Sequence, residues 1–449
     1  MSDVVSLLSQ IEDTGRDPRG SGYQRPGFSA TERELRDWFL AEADRRGLDT
    51  EIDANGITWA WATPPGENAV VTGSHLDSVP GGGEFDGPLG VASALAAFDE
   101  LKASGALERA RRPLALAVFP EEEGSRFGVA CLGSRLLTGA IETDRALGLK
   151  DSVGDTFADV ARGYGLDPDR VGRDQSRLAG IGSFIELHVE QGLGLAGTDQ
   201  AVAIGSSIIG HGRWHFSFTG QGNHAGTTPM SHRADPVVAA SRVIGDIPTL
   251  AAATDASAVA TVGRTLIHPG GTNVIASAMS FWLDIRHPND AVVEQVLDAI
   301  SRRAASHADE TGVRVDVSQE SYSPTTHFTA DLNSRLASVL PQAPLLPSGA
   351  GHDAGILAPH VPSAMLYVRN PTGVSHAPEE ACEVDDQRAG VDALIKVLAR
   401  ELEIEVPGGS DGAAPGPAGG AASRPDGGAA TGPDGGAATG PAAGGGGAR

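Results

Sequence analysis

Residues 69–90, AVVTGSHLDSVPGGGEFDGPLG, decide the fold class of this chain. Ala69, Val70, Val71 and Thr72 read as a short buried strand. Gly73 and Ser74 are expected to break it just before His75, which puts the imidazole at the strand's C-terminal edge. Asp77 follows two residues later, placed to orient that ring, fix its tautomer and raise its basicity. After a glycine-rich loop comes Asp86, and Pro88 then starts a helix through about Ala103. Strands and helices alternate in this way along much of the chain, which predicts a layered α/β domain with a largely parallel sheet. Asp86-Gly87-Pro88 also has a plainer reading, as a turn that caps the helix.

Outward from that stretch, Leu114 to Phe119 form a second buried apolar run, ended by Pro120, which cannot continue a ladder. Glu121, Glu122 and Glu123 therefore fall on a loop at a strand end. On a regular strand adjacent side chains point to opposite faces, but on an irregular loop Glu122 and Glu123 can serve one site. One carboxylate would bind metal while the other moves a proton. A solvated acidic turn is the alternative. His188 in IELHVEQG and His376 in PTGVSHAPEE extend the set of potential ligands to five: His75, Asp86, Glu123, His188 and His376. Singly, each histidine is more readily a satisfied surface or core residue. Together they have the ligand count of a two-metal hydrolytic centre with an open position for water, which points to an enzyme.

At ~150 residues per domain, the 449 residues suggest two or three domains, and 40% hydrophobic content supports real cores. Only Cys131 and Cys382 are present, so no disulfide framework is expected and a reducing compartment is. The N-terminus lacks a basic region followed by an apolar core, and no later stretch reaches the ~18 apolar residues of a membrane span. A soluble, cytoplasmic protein is expected. A net charge of -24 argues against a nucleic-acid partner.

Thr31 and Glu34 suggest a capping box for a helix through about Arg46, with Leu35, Trp38 and Phe39 as its apolar stripe. From about 207 to 322 the pattern changes. Trp214, Phe216 and Phe218 alternate with polar residues, the runs Ala258 to Leu266 and Ser277 to Arg286 add strands, and helices are expected over about Asp235 to Ile247 and Asp290 to Ala308. This reads as a smaller α/β sandwich with an antiparallel sheet, inserted between catalytic segments 1–206 and 323–405, since His376 comes after it. The remainder, 406–449, is Gly, Ala and Pro with PDGGAATG repeated at 425–432 and 433–440, and is expected to be disordered.

The segments GSHLDSVPGGGEFDGPLGV, EEEGSRF, ELHVEQG, GNHAGTTPM, GGTNVI, LDIRHP, SGAGHDAGIL and GVSHAP closely resemble the amidase/hydantoinase/carbamoylase branch of the M20 metallopeptidase-like hydrolases, from about Gly20 to Leu402. That branch includes N-carbamoyl-L-amino acid hydrolases, allantoate amidohydrolases and beta-ureidopropionases of the yeast type. The resemblance implies one divalent ion, zinc or manganese among others, on His75, Asp86 and His188, and a second on Asp86, Glu123 and His376. It makes Glu122 the general base. Simple M20 peptidases tend to have an acidic residue at the position of His188, so ELHVEQG favours the ureido-cleaving branch over an exopeptidase.

Gln191, His224, Asn273 and Arg286 match substrate-contacting positions, and Ser348 to Ala354, with Gly349, Ala350 and His352, match a loop that closes over substrate. The inserted segment corresponds to a lid and dimerisation domain, in which His224 reaches the neighbour's site in a homodimer. One departure is Ala276, where many relatives have proline.

An anionic ureido acid must then approach an anionic protein. Arg286 is the candidate for its carboxylate, through a bidentate fork, with an ordinary pairing to a neighbouring Asp as the alternative. Allantoate is the expected substrate, because Arg369 and Asn370 in YVRNPTGVSHAP offer groups to a second polar arm. N-carbamoyl-L-amino acids and N-carbamoyl-beta-alanine are the alternatives. A non-enzymatic binding protein would be expected to have lost ligands or the base, and none is missing here.

Overall fold

The strand that opens the signature stretch runs on where a break was predicted. Ala69–His75 is one continuous strand ending on His75 itself, in the computed structural model, which describes residues 3–404. Gly73 serves close packing, because a Cβ there would lie 1.8 Å from the carbonyl oxygen of Ala117 on the next strand. The 406–449 expectation lies outside the described residues.

In chain order the strands are β1 (Asp49–Ile52), β2 (Thr58–Trp61), β3 (Ala69–His75), β4 (Leu114–Phe119), β5 (Ile181–Val189), β6 (Val202–Ile208), β7 (Gly210–Thr219), β8 (Asn223–His224), β9 (Val259–His268), β10 (Val274–Ile275), β11 (Ala278–His287), β12 (Arg314–Ser323), β13 (Thr326–His327), β14 (Leu345–Ser348) and β15 (Ser363–Val368). The main sheet is ordered β1-β2-β4-β3-β5-β15-β6-β13, with β14 also on β6. It is a mixed sheet whose centre is parallel, as expected, with β14 also parallel to β6; antiparallel pairs lie toward its two sides. β4, β3, β5 and β15 are parallel neighbours, while β1/β2, β2/β4, β15/β6 and β6/β13 are antiparallel. The connections decide this: β3 reaches β4 through the helix Pro88–Ala103, whereas the short link from β1 to β2 permits only an antiparallel turn.

Helices cover the sheet. One core layer packs Leu35, Phe39, Leu89, Leu95, Phe98, Leu394 and Leu398 against strand residues such as Val70, Leu116 and Leu187. The opposite face buries Trp59, Phe119, Phe184, Leu357 and Met365. Because both faces are covered, β3, β4 and β15 are buried at every position. The helix Ala30–Arg46 starts one residue before Thr31, and its cap is Ser29, whose hydroxyl accepts from the Glu32 amide. The predicted Thr31/Glu34 box is therefore replaced by a single cap at Ser29, whose own amide donates to the Pro26 carbonyl, while Glu32 is buried under the Tyr164 hydroxyl.

Residues 210–323 build a separate sheet, β12-β7-β11-β9, wholly antiparallel. Strict alternation along β11 sends Met279, Phe281, Leu283 and Ile285 inward to meet Trp214, Phe216 and Phe218 of β7. Phe216 and Phe281 stack with centroids 4.8 Å apart. Burial of each such ring contributes about 1.5–3 kcal/mol. The helices Pro236–Thr254 and Asp290–Thr311 cover this face and are capped by Asp235 and Asn289. The first runs seven residues past its expected end and passes through Pro248. By length and composition it is also apolar enough to cross a membrane, which the sequence reading had not found. It carries Arg242 and Asp246, and it buries Ala239, Ala240, Val243, Ile247 and Ala251 in the core of this sheet.

Candidate metal centre

β3 and β5 lie side by side and parallel, and each delivers a histidine near its C-terminal end. Both rings are fully buried. His75 Nδ1 faces the Asp77 carbonyl at 3.1 Å and His188 Nδ1 the Val189 carbonyl at 2.9 Å. Each Nδ1 therefore carries the proton that its carbonyl partner requires. The two Nε2 lone pairs are left to face each other at 3.4 Å. Two acceptors that close repel unless a cation or proton lies between them.

Asp86 closes the arrangement. Its Oδ1 is 3.2 Å from His188 Nε2 and 3.6 Å from His75 Nε2, and its Oδ2 is 3.5 Å from His376 Nε2. His376 Nε2 is in turn 3.3 Å from Glu123 Oε2. Two triads result, His75/Asp86/His188 and Asp86/Glu123/His376, with the ligand atoms of each within 4.8 Å of one another, and Asp86 is common to both. The plainer reading of Asp86 as a helix cap fails. The cap position is Gly87, and Asp86 makes no cap hydrogen bond. A Cβ at Gly87 would sit 2.5 Å from the His75 ring, so glycine at this positive φ makes room for the ligand.

The three glutamates part company on their loop. Glu121 adopts φ 53° and turns its Oε1 back to accept from the amides of Arg126 and Phe127 at 2.8 and 2.7 Å, so it shapes the loop. Glu123 enters the second triad. Glu122 belongs to neither triad: its Oε2 is 3.7 Å from His75 Nε2, and its Oε1 accepts from the Cys131 thiol at 3.5 Å. Asp77 does more than orient His75. Its two carboxylate oxygens accept from the Glu122 and Glu123 amides at 3.1 Å each, while Oδ1 lies 3.6 Å from His75 Nδ1.

The electrostatics fit cations. Burial pushes the Glu122 carboxyl well up, with Asp353, Glu123 and Glu186 adding to the effect and His75 opposing it. Burial and Asp86 push Glu123 up to about 8. Burial would lower His75, but Glu122, Asp77 and Asp86 raise it well above the usual imidazole range. Burial works against ionised Asp86 too, yet His188, His75 and His376 hold it well below the usual carboxylate range. Burial works against charge on these carboxylates while the imidazoles oppose it, and two nitrogen/oxygen triads around one shared carboxylate suit two divalent ions.

A cavity of about 330 Å³ opens beside the cluster, lined by Glu190, Gln191, Gly192, Arg286, Leu346, Pro347, Ser348, Gly349, Ala350, His352 and Tyr367. Five residues expected at a substrate site, Gln191, Arg286, Gly349, Ala350 and His352, are thus brought together. Gln191 Nε2 donates to Asp86 Oδ2 at 2.8 Å, and the His352 ring lies 4.6 Å from that of His188. Gln191 Oε1 and His352 Nδ1 are buried with no hydrogen-bond partner among the described residues. Arg286 lines the cavity and also has the plainer pairing. Its Nε donates to Asp284 Oδ1 at 2.7 Å and its Nη1 to the Gly349 carbonyl at 2.8 Å.

His224 and Asn273 are not in this lining. Both are exposed on or beside the β8/β10 ribbon, where Ala225 N donates to the Asn273 carbonyl at 3.0 Å. Ala276 is buried and falls just after β10, and that ribbon forms without the proline of relatives.

Arg369 and Asn370 correct an expectation. Arg369 forks onto Asp386 at 2.9 and 2.7 Å and donates to the Thr198 carbonyl, while Asn370, fully buried, ties together Thr372, Gly373 and Val374. Both hold the scaffold under His376, and neither lines the cavity. Sequence reasoning missed Glu186 and gave Asp353 no role of its own within the loop Ser348 to Ala354. Glu186 accepts from Ser74 Oγ at 2.9 Å and from the Ala354 amide at 3.0 Å, and Asp353 accepts from Ser134. Strand alternation was the available signal for Glu186, which lies two residues before His188 on β5 and so on the same face.

Residues 71–400 match peptidase family M20/M25/M40. The chain is 36% identical over 393 residues to an N-carbamoyl-L-amino acid amidohydrolase of Geobacillus stearothermophilus, covering 86% of this chain and 95% of that one. It is 31% identical over 402 residues to an allantoate amidohydrolase of Escherichia coli, covering 88% and 96%. Among solved structures, an amidase of the hydantoinase/carbamoylase family from Burkholderia multivorans superposes with a TM-score of 0.79 at 29% identity, covering 89% of this chain and 97% of that chain.

Proposed function

The chain belongs to peptidase family M20/M25/M40, and we propose that within it this protein is a two-metal amidohydrolase that cleaves the terminal ureido group of a small ureido acid, allantoate in the first reading. One observation carries the proposal. Two ligand triads share Asp86, and the cavity beside them presents Gln191 Oε1 and His352 Nδ1, buried and without a hydrogen-bond partner among the described residues, together with Arg286; His352 Nδ1 lies 4.0 Å from Glu122 Oε1. Buried polar atoms without partners are costly, and a ligand rich in N–H groups and bearing a carboxylate satisfies them.

Two divalent cations held by the triads would acidify a water and polarise the ureido carbonyl. Glu122, outside both triads with Oε2 turned to the cluster, takes the proton from that water and returns it to the departing nitrogen. The resulting carbamate breaks down to carbon dioxide and ammonia. Asp284 steadies the Arg286 guanidinium, which receives the substrate carboxylate. In a homodimer the exposed His224 of the partner subunit stabilises the oxyanion, so each site is composite. The setting is soluble and cytoplasmic.

Allantoate is supported by the polar side chains gathered around one cavity, Gln191, Ser348, His352 and Arg286, which suit a substrate with two polar arms and a carboxylate. Arg369 and Asn370 lend it nothing. A second reading, an N-carbamoyl-L-amino acid, is favoured by the apolar wall of Leu346, Pro347 and Tyr367, which suits a variable side chain. The test is ammonia release from allantoate, N-carbamoyl-L-amino acids and N-carbamoyl-beta-alanine, beside dipeptide cleavage, after reconstitution with zinc or manganese. Highest kcat/KM on allantoate supports the first reading, and preference for carbamoyl amino acids with apolar side chains supports the second. Turnover of dipeptides alone refutes both.

A further inference from the structure

The two triads differ in what holds them. His75 and His188 both lie on strands of the main sheet near their C-terminal ends, His75 paired with Phe119 of β4 and His188 with Tyr367 of β15, so the sheet holds both. His376, peculiar to the second triad, sits on an irregular loop at φ 58° with its side chain 47% exposed, and Asp86 ends the glycine-rich loop before the helix Pro88–Ala103. The second triad therefore depends on how these two loops lie against each other and against the loop after β4 that carries Glu123.

Glu380 joins the His376 and Asp86 loops. It follows His376 by one turn, in which its amide donates to the Ala377 carbonyl at 3.1 Å. Its buried carboxylate crosses to the other loop, where Oε2 accepts from the Phe85 amide at 2.8 Å and the Asp86 amide at 3.1 Å. Gly83 is shaped to this contact, since a Cβ there would lie 2.3 Å from Glu380 Oε2. The hydrogen bonds go to backbone amides, which leaves both carboxylate oxygens of Asp86 available as ligands. Gln191 and Ser375 do the opposite: both donate to Asp86 Oδ2, at 2.8 and 3.1 Å, and must yield it when that oxygen takes an ion.

We propose that Glu380 is a positioning residue for the ion on the His376 side: it staples the His376 loop to the backbone of Asp86 and so sets the second triad without occupying any of its ligand atoms. This rests on the two-ion reading given above. The experiment is calorimetric titration of the metal-free full-length protein with manganese(II), with bound metal counted by atomic emission after gel filtration.

Wild-type protein takes up two equivalents. Glu380→Ala weakens the second at least tenfold and leaves the first within twofold, while Glu380→Gln, which keeps one carbonyl acceptor, recovers part of the loss. Gly83→Ala, pressing on the same carboxylate from outside, reproduces the selective weakening. Equal weakening of both equivalents, or no weakening, overturns the role of Glu380. Should Glu380→Ala not fold by circular dichroism, the other two variants decide by the same comparison. Wild-type protein that binds fewer than two equivalents overturns the two-ion reading itself, a failure visible before any substitution.

Discussion

Replacement of Asp77 by asparagine separates a residue that organises the centre from one that merely fills space. The Asp77 side chain is fully buried, its oxygens each accept one amide at 3.1 Å from Glu122 and Glu123, and Oδ1 stands 3.6 Å from His75 Nδ1. Asparagine keeps one carbonyl oxygen, so one amide retains a neutral hydrogen bond while the other meets an N–H group. One charge-assisted hydrogen bond is lost and a second weakened, a cost of about 2–4 kcal/mol. Part is offset, because the Asp77 charge helps to raise the proton affinity of Glu32, Glu121 and Glu123, and removing it relieves that repulsion.

Metal affinity suffers more distinctly. His75 belongs to the first triad and Glu123 to the second, so both ions should bind about 10–100-fold more weakly, as for other lost partners of ligands. Calorimetric titration of the metal-free variant, beside thermal melts with and without metal, reads both terms. A lowered melt with both affinities within twofold of wild type would refute the reasoning, since Asp77 would then be structural only.

Glu122→Gln is expected to keep two bound ions and lose turnover by roughly 10²–10⁴-fold, while Glu123→Gln loses metal; the reverse pattern in metal analysis would show the roles exchanged. Arg286→Lys keeps the charge and loses the fork, so KM for the ureido acid should rise by the equivalent of roughly 1–3 kcal/mol, and unchanged kinetics would remove Arg286 from carboxylate binding. Mixed subunits of Glu122→Gln and His224→Ala should regain activity that neither homodimer has, because a heterodimer holds one site with both residues intact; verified heterodimers without activity would place His224 outside the reaction.

The sequence was most legible where local physics decides. The apolar run Leu114 to Phe119 is the strand expected, and Pro88 does start its helix. Alternation in Trp214, Phe216 and Phe218 exposed the antiparallel sheet. Boundaries failed where neighbours offer the same chemistry, since Ser29 and Thr31 are both fair caps and only the approach of the chain chooses between them. Pro248 lies inside a helix whose buried face continues to Ala251.

At the centre, the five residues that cluster could be picked out because the residue types suited to holding metal are few. The direction of Arg369 could not, because proximity to His376 in sequence says nothing of which side of the loop faces the scaffold. Glu380 was hidden for a similar reason: its partners are backbone amides almost three hundred residues earlier, and an amide leaves no mark in a sequence.

The position of β15 has a consequence for how the chain is made. This late strand lies between β5 and β6, parallel to one and antiparallel to the other, with Tyr367 opposite His188. On the ribosome, β5 and β6 emerge without the strand that will separate them. At ~5–20 residues per second they wait roughly ten to thirty seconds for it, while the intervening β7, β11 and β12 can pair among themselves. Through that interval two edges of the nascent sheet stand open to other chains. A message cut short before Ser363 therefore yields a polypeptide with His188 on an unpaired edge, prone to aggregate, although every residue of the first triad has been synthesised.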